Sequence, residues 1–228
     1  MSDARADILA RIRDGLKRGP LDEERTDMLE TLLASHVRSL VPDRAKTLDQ
    51  GARIALFAAM AEEVDTTIDR VASMDEAPEA ITRYLAQRNL PARVMVTPDP
   101  KLARLPWDRT TLEIGRGVAQ DGDAVGVSAC FAAVAETGTL MLVSGPASPT
   151  RNNFLPDTHI VVLGADEVVG FYEEAWDRLR EAGAMPRTVN FITGPSRTGD
   201  IAQKLELGAH GPLRLHIVLV EHGAQARP

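Results

Sequence analysis

The chain opens with two stretches whose apolar residues recur at helical spacing. Residues 4–18 and 21–39 each place their apolar side chains three or four positions apart, which predicts two amphipathic helices. Both come before any strand pattern. We therefore expect residues 1–45 to form an N-terminal helical extension that packs on the main domain or on another subunit.

The rest of the chain, residues 46–228, alternates helical patterns with short apolar runs typical of buried strands. Helices are predicted at residues 48–63, 76–89 and 169–182, and strands at 66–71, 92–96, 112–114, 123–127, 140–143, 160–163, 188–192 and 213–220. This alternation predicts the α/β class, with a mainly parallel sheet covered by helices on both faces. We expect strands 160–163, 189–192 and 214–220 to share that one sheet.

The composition argues against two kinds of partner. A net charge of −7 over 228 residues argues against nucleic acid, because phosphate binding needs a basic surface. The longest apolar runs, 54–61 and 129–135, are far shorter than a membrane span, so we expect no membrane insertion. Asp3 and Asp7 near the N-terminus do not fit a secretory signal, which predicts a cytoplasmic protein.

Cofactor motifs are not visible in the sequence. The single cysteine, Cys130, excludes an intrachain disulfide and a cysteine-ligated cluster, and its apolar surroundings predict a buried, inert thiol. The chain also has no His, Cys and Asp set at the spacing of metal ligands, no Walker motif and no G-x-G-x-x-G stretch. We therefore predict no metal and no other cofactor.

The stretch FITGPSRTGDI offers a candidate anion site. Gly194 breaks the strand that ends near residue 192, and Ser196 or Thr198 suits the N-cap of a short helix. Unpaired backbone N–H groups at such a turn attract anions, and Arg197 adds a two-pronged cationic donor. The alternative is an ordinary turn with a solvated arginine.

A second candidate is the turn ETGT between two apolar runs. Glu136 is costly to bury there without a partner, so its carboxylate is a candidate catalytic base or nucleophile. Thr137, Gly138 and Thr139 supply hydroxyls and a tight bend. The alternative is that Glu136 only caps neighbouring backbone N–H groups.

Two residues on loops complete the predicted pocket. Arg151 lies in the proline-rich loop 144–159, and His210 lies between small residues in LGAHGP. Because ligands of open α/β sheets collect at the carboxyl ends of the strands, we expect the motif turns to face each other there. A small hydroxy acid would place its carboxylate on Arg197 and its hydroxyl near Glu136.

Together, TGPSRTGDI, LGAHGP and the upstream AETGTL resemble the LUD-domain family, in particular its single-domain lactate-utilisation members. The resemblance extends over about residues 135–221. It implies a fold related to the sugar-phosphate isomerase and CoA-transferase superfamily (the NagB/RpiA/CoA-transferase-like fold). It also implies a role in oxidising L-lactate to pyruvate, beside iron–sulfur (Fe–S) proteins.

Three functions remain open at this point. The first is an accessory subunit of the lactate-oxidising system, which would bind a small anion or partner proteins and hold no redox cofactor. The second is a free-standing CoA-transferase- or isomerase-like enzyme that acts on a carboxylated or phosphorylated metabolite through Glu136. In the related CoA-transferase superfamily a glutamate at a strand end attacks the thioester, and Glu136 resembles it only in lying at a bend. The third is a structural oligomerisation module.

Overall fold

The structure, a computed structural model, describes residues 4–17, 19–36, 38, 41, 43–198 and 206–221. The chain divides into two units, Met1–Leu40 and Val41–Pro228. The first unit contains α1 (Ala4–Gly15) and α2 (Glu23–Ser35), close to the two predicted helices. Asp22 caps α2 by accepting a hydrogen bond from the Arg25 N–H at 2.8 Å. Packing of this extension on the main domain or on another subunit stays a prediction.

The second unit alternates helices and strands over its described residues. Its helices are α3 (Gln50–Glu63), α4 (Ala77–Gln87), α5 (Pro100–Ala103), α6 (Arg151–Phe154) and α7 (Tyr172–Glu181). Its strands are β1 (Thr67–Val71), β2 (Arg93–Val96), β3 (Glu113–Arg116), β4 (Val125–Ala129), β5 (Ala132–Val134), β6 (Thr139–Val143), β7 (Thr158–Gly164), β8 (Val168–Val169), β9 (Val189–Ile192), β10 (Arg197–Thr198), β11 (Glu206–Leu207) and β12 (Arg214–Val220).

The main sheet is parallel throughout. In the described part of the chain it has six strands in the order β1-β12-β7-β4-β2-β3, and each neighbouring pair is parallel. The central strand β7 pairs Val161 with Ile217 of β12 on one side and with Ser128 of β4 on the other. The predicted α/β fold with a mainly parallel sheet is therefore confirmed.

Both faces of the main sheet are covered. On one face, Ile160 and Val162 of β7 pack in a core cluster that includes Ile81 of α4. On the other face, Val161 packs in a cluster that includes Phe57 of α3 and residues of β6. Because successive side chains of a strand point to opposite faces, a strand buried on both sides must be apolar at nearly every position.

A second sheet makes the single-sheet prediction wrong. Strands β8, β5, β6 and β9 form a separate four-stranded sheet, in which β9 pairs antiparallel with β6 through Leu140 and Ile192. Residues 189–192 therefore do not share a sheet with 160–163 and 214–220. The short turn between β5 and β6 favours their antiparallel pairing, and β9 pairs along the other edge of β6.

A helix that starts directly after Ser196 is wrong, whereas a helix capped by Thr198 would lie outside the described residues. Arg197 and Thr198 form the short strand β10, which pairs antiparallel with β11. The Ser196 N–H donates to Pro212 O and the Gly208 N–H donates to Ser196 O, both at 2.9 Å. The returning loop thus takes up the Ser196 backbone groups that were expected to cap a helix or hold an anion. Residues 199–205 lie outside the described part of the chain.

Candidate functional site

The two motif turns meet at the carboxyl end of α3. Gly138 adopts a φ of 64°, and a Cβ added there would lie 2.4 Å from the Ala61 N atom. Gly194 adopts a φ of 75°, and its added Cβ would lie 2.6 Å from the Val64 O atom. Both the left-handed backbone and the close approach require glycine at these positions. The ETGT and TGPSR turns therefore share one packing surface.

A cluster of hydroxyl groups ties the same turns together. The Oγ1 of Thr139 lies 2.7 Å from Thr137 Oγ1, 2.7 Å from Thr193 Oγ1 and 3.0 Å from the Tyr172 hydroxyl. Thr137 Oγ1 also donates to the Tyr172 hydroxyl at 3.1 Å. The predicted ligand-binding hydroxyls of Thr137 and Thr139 are thus engaged with protein groups.

Glu136 lies beside this cluster with its side chain half-buried. Its backbone N–H donates to Gly170 O at 3.1 Å. The Gly170 N–H in turn donates to Glu174 at 2.7 Å, and Glu174 forms a two-pronged ion pair with Arg53 at 2.9 and 3.2 Å. The contacts on this side of the turn are therefore hydrogen bonds and an ion pair between protein groups.

A cleft of about 440 Å³ gathers residues of the TGPSR turn and of the LGAHGP loop. Four predicted anion-binding residues line it, namely Gly194, Ser196, Arg197 and His210. We call it the motif cleft. The other predicted site residues do not belong to its described lining, and these are Glu136, Thr137, Gly138, Thr139, Arg151 and Thr198. The structure therefore does not bring Glu136 and Arg197 together in this cleft.

The motif cleft lies at the opposite edge of the main sheet from the one predicted. It is lined by His159 and Leu215, the second residues of β7 and β12, so it borders the amino ends of these strands. The prediction of carboxyl ends is wrong for this cleft. The cause is again the second sheet, because β9 runs in it and delivers the TGPSR turn to the amino-terminal edge of β7.

Arg197 forms one wall of the motif cleft. Its guanidinium forms an ion pair with Asp65 at 3.0 Å and donates to Val64 O, at the end of α3. The arginine side chain is 31% exposed and that of Asp65 is 74% exposed. A guanidinium has five N–H donors, so an anchored Arg197 keeps donors for a ligand. An exposed pair of this kind adds little stability by itself.

Arg151 is engaged elsewhere. It begins α6 and forms an ion pair with Asp121 at 2.8 Å. The next residue, Asn152, is buried and accepts from the Ala119 N–H while donating to Gly117 O, each at 2.9 Å. α6 and its contacts therefore hold the loop 144–159 in place. The first residue of this loop that lines the motif cleft is Asn153.

Two buried polar residues of the motif cleft were not predicted from the sequence. Asn153 and His159 line it with 1% and 0% exposure. The His159 Nε2 lies 2.6 Å from the Ser128 Oγ, and burial lowers the pKa of His159 to about 4. Within the described part of the chain, His159 Nδ1 and Asn153 Oδ1 have no hydrogen-bond partner. The histidine within the apolar stretch THIVVLG is the sequence feature that could have indicated a buried polar residue here.

A second cleft of about 330 Å³ lies at the carboxyl ends of β4 and β7. We call it the edge cleft, and the charged residues in its lining include Lys101, Arg104, Asp166 and Glu167. Glu167 is nearly buried, forms an ion pair with Lys101 and accepts from the Gly164 N–H at 2.9 Å. Burial raises the pKa of Glu167, and Lys101 opposes that rise. The Lys101–Glu167 pair was also not predicted from the sequence.

Cys130 is buried, as predicted. Its thiol donates to Ala132 O at 3.0 Å, and burial raises its pKa. A thiol held in this way is a poor nucleophile, because the thiolate is the reactive form.

In the described part of the chain, no group of three or more His, Cys, Asp and Glu side chains is positioned to hold a metal ion. Among the same residues, no helix has the length and apolar character needed to cross a membrane.

These features define an α/β protein with a six-stranded parallel sheet, a second small sheet and a cleft lined by the TGPSR turn and the LGAHGP loop. Residues 122–220 match the model of the LUD domain. That region contains the ETGT turn, the TGPSR turn and the LGAHGP loop. The resemblance to LUD-domain proteins that these motifs indicated is therefore confirmed.

Curated proteins named lactate utilization protein C are similar to this chain. The protein from Exiguobacterium sp. (strain ATCC BAA-1283 / AT1b) is 30% identical over 151 residues, which cover 60% of this chain and 65% of that protein. The protein from Bacillus subtilis is 33% identical over 118 residues, which cover 50% of this chain and 49% of that protein. The chain thus spans about half to two thirds of the length of these relatives.

One solved structure has a similar fold. The crystal structure of a DUF162 family protein from Deinococcus radiodurans superposes with a TM-score of 0.58 and 24% identity, and the match covers 76% of this chain and 99% of that chain. This likeness supports the fold described above.

Proposed function

We propose that this protein is a component of L-lactate utilisation, the oxidation of L-lactate to pyruvate. It acts as an accessory subunit that binds a small carboxylate and partner proteins and has no redox cofactor of its own. The similarity to proteins named lactate utilization protein C supports the process. The motif cleft, in which the TGPSR turn and the LGAHGP loop meet beside Arg197, is the observation that carries the binding role.

The motif cleft suits a carboxylate for electrostatic reasons. Arg197 provides a permanent positive charge and a planar donor fork, which matches the two oxygens of a carboxylate. Ser196 and His210 add a hydroxyl and an imidazole in the same lining. No carboxylate side chain lines the described part of the cleft, and the nearby Asp65 carboxylate, paired with Arg197 at 3.0 Å, offsets part of the arginine's charge.

The cysteine content fits a subunit that holds no Fe–S cluster of its own. Fe–S clusters are held mainly by cysteine thiolates, and this chain has one cysteine, which is buried. Electron transfer therefore belongs to the Fe–S proteins that would work beside it. The protein would act in the cytoplasm.

The alternative is a CoA-transferase- or isomerase-like enzyme with Glu136 as its catalytic carboxylate. It has less support, because Glu136 is not in the described lining of the motif cleft and its backbone contacts run towards Gly170. Glu136 is half-buried at a turn, as an activated carboxylate would be, and this feature alone favours the alternative.

Growth of a strain that lacks the gene tests the proposal. The strain should fail to grow on L-lactate and should grow normally on pyruvate. The parent gene and Glu136→Gln should restore growth, whereas Arg197→Ala should not. Restoration by Arg197→Ala but not by Glu136→Gln would favour the enzyme alternative. Normal growth of the deletion strain on L-lactate would contradict a role in lactate utilisation.

A further inference from the structure

We propose that the N-terminal helices form an interface between two copies of this chain, in which α1 of one copy packs against α2 of the other in a four-helix bundle. This interface lies within the Met1–Leu40 unit. It does not depend on the ligand or on the process proposed above, so the two can fail separately.

Each of the two helices carries one apolar stripe. The large apolar residues of each helix recur at helical spacing, so at 3.6 residues per turn they lie on one face, and the face of α1 continues to the residue just after the helix. The two stripes consist of Ile8, Leu9, Ile12, Leu16, Met28, Leu29, Leu32 and Leu33. Each helix therefore has one face that gains stability when a partner covers it.

Both stripes are exposed. Neither α1 nor α2 has a buried residue. Seven of the eight stripe residues are between 36% and 72% exposed, and Leu29 is half-buried. Isolated helices of 12 and 13 residues are marginally stable in water, and a unit of about 40 residues rarely has a sufficient core of its own. The stripes therefore need a surface from outside this unit.

The charges of the two helices favour a second copy as that surface. α1 has three arginines and two aspartates, for a net charge of +1, whereas α2 has four acidic residues and one arginine, for a net charge of −3. Two copies related by a two-fold axis can place each α1 beside the α2 of the other copy, so that opposite charges meet twice. The unit is thus complementary to itself.

The charged residues that border the stripes show the same complementarity. At helical spacing, Arg11 and Arg13 lie on either side of the α1 stripe, and Glu24 and Glu30 lie on either side of the α2 stripe. Charged residues that border an apolar seam form ion pairs between helices and determine which helices pair. Pairing of α1 with α2 joins arginines to glutamates, whereas pairing of α1 with α1 or of α2 with α2 joins like charges.

Analytical ultracentrifugation of the full chain at micromolar concentration tests this interface. The parent should sediment as a dimer, at twice the chain mass of 24.7 kDa. Ile12→Glu and Leu32→Glu each place a charge within a stripe and should weaken the dimer at least about tenfold, because an unpaired charge is costly to bury. Met185→Glu is the control, since Met185 is an exposed apolar residue of the second unit, and it should leave the dimer intact.

An exchange of charges between chains tests the pairing of α1 with α2. Arg11→Glu/Arg13→Glu makes α1 acidic, and Glu24→Lys/Glu30→Lys makes α2 basic. Each double variant alone should dimerise at least about tenfold more weakly than the parent, because α1 and α2 then carry charge of the same sign. An equal mixture of the two variants should restore the dimer, since every α1–α2 contact between the two chains then joins opposite charges. Restoration by mixing also separates pairing between chains from pairing within one chain.

Three results would each overturn the interface. They are a parent that sediments as a monomer, a dimer that survives both Ile12→Glu and Leu32→Glu, and a mixture of the charge variants that dimerises no better than its components. A monomeric parent would mean that another surface, on this chain or on a different protein, covers the stripes. Far-UV circular dichroism of each variant should match that of the parent, so that loss of the dimer is not loss of the fold.

Discussion

The Oγ1 atoms of Thr139 and Thr193 lie 2.7 Å apart, although 54 residues separate them in sequence. This hydrogen bond joins the ETGT turn to the end of β9, just before the TGPSR turn. Gly138 and Gly194 pack on the same end of α3. The ETGT turn and the start of the TGPSR turn therefore attach the second sheet to α3. The TGPSR turn also lines the motif cleft.

Substitution of the two packed glycines should destabilise the fold. Gly138→Ala and Gly194→Ala each force a Cβ against the backbone of α3 at a positive φ. We expect each to lower the free energy of unfolding by about 2 kcal/mol or more, measured by urea denaturation. Gly145→Ala is the control, because an added Cβ there meets no atom within 4 Å. Equal stability of all three variants would show that the turns do not pack as described.

Arg197 and Arg151 should differ in their effect on ligand binding, although the sequence suggested both. Arg197→Lys keeps the charge but loses the planar donor fork, and Arg197→Ala loses both. We expect calorimetry with L-lactate to show about 1–3 kcal/mol of lost binding free energy. Arg151→Lys should bind as the parent does, because Arg151 pairs with Asp121 outside the described lining. Weaker binding by Arg151→Lys, together with unchanged binding by the Arg197 variants, would place the ligand near α6.

Two buried histidines should make the protein less stable in acid. Burial lowers the pKa of His159 and of His216 from 6.5 to about 4. Between these values the unfolded state binds more protons than the folded state, so the stability present above pH 6.5 is lost as the pH falls towards 4. Each histidine contributes up to about 3 kcal/mol to this loss.

Urea denaturation at pH 4.5 and 7 measures the acid effect, and NMR of the histidine rings assigns it. The ring signals of His159 and His216 should stay constant between pH 5 and 8. Burial raises the pKa of Glu167, which acts in the opposite direction by favouring the folded state as that carboxyl gains a proton. Titration of either ring near pH 6.5 would contradict its burial.

The Lys101–Glu167 pair should stabilise the edge cleft. Lys101→Met leaves the Glu167 carboxylate, 5% exposed, without its cation. We expect about 1–2 kcal/mol of lost stability at pH 7, a value reduced because Lys101 is 53% exposed. The loss should shrink in acid, where Glu167 is neutral, and the double variant Lys101→Met/Glu167→Gln should recover most of it. No recovery would mean that Lys101 acts through packing alone.

Much of the main sheet was predictable because its strands are buried on both faces. Apolar runs such as 160–163 and 213–220, separated by helical patterns such as 48–63 and 76–89, predicted the parallel sheet and its helices. The assignment of 188–192 to that sheet failed. An apolar run does not specify its partner strand, and the pairing of β9 depends on the antiparallel hairpin of β5 and β6.

The candidate site was predictable in part. Gly194, Ser196, Arg197 and His210 line one cleft, because TGPSR and LGAHGP are brought together by hydrogen bonds between their backbones. The burial and the unpartnered atoms of Asn153 and His159 arise from tertiary packing, which local sequence does not report. Glu136 stood out by its charge, yet the fold directs its turn towards α3 and Gly170.

NMR chemical-shift mapping of the full chain with L-lactate tests the assignment of the ligand to the motif cleft most directly. The largest backbone amide shifts should fall on Gly194, Ser196, Arg197 and Gly211, with smaller ones at Asn153 and His159. The amides of Lys101 and Glu167 in the edge cleft should not move. Shifts confined to the edge cleft, or to Glu136 and Thr137, would contradict binding in the motif cleft.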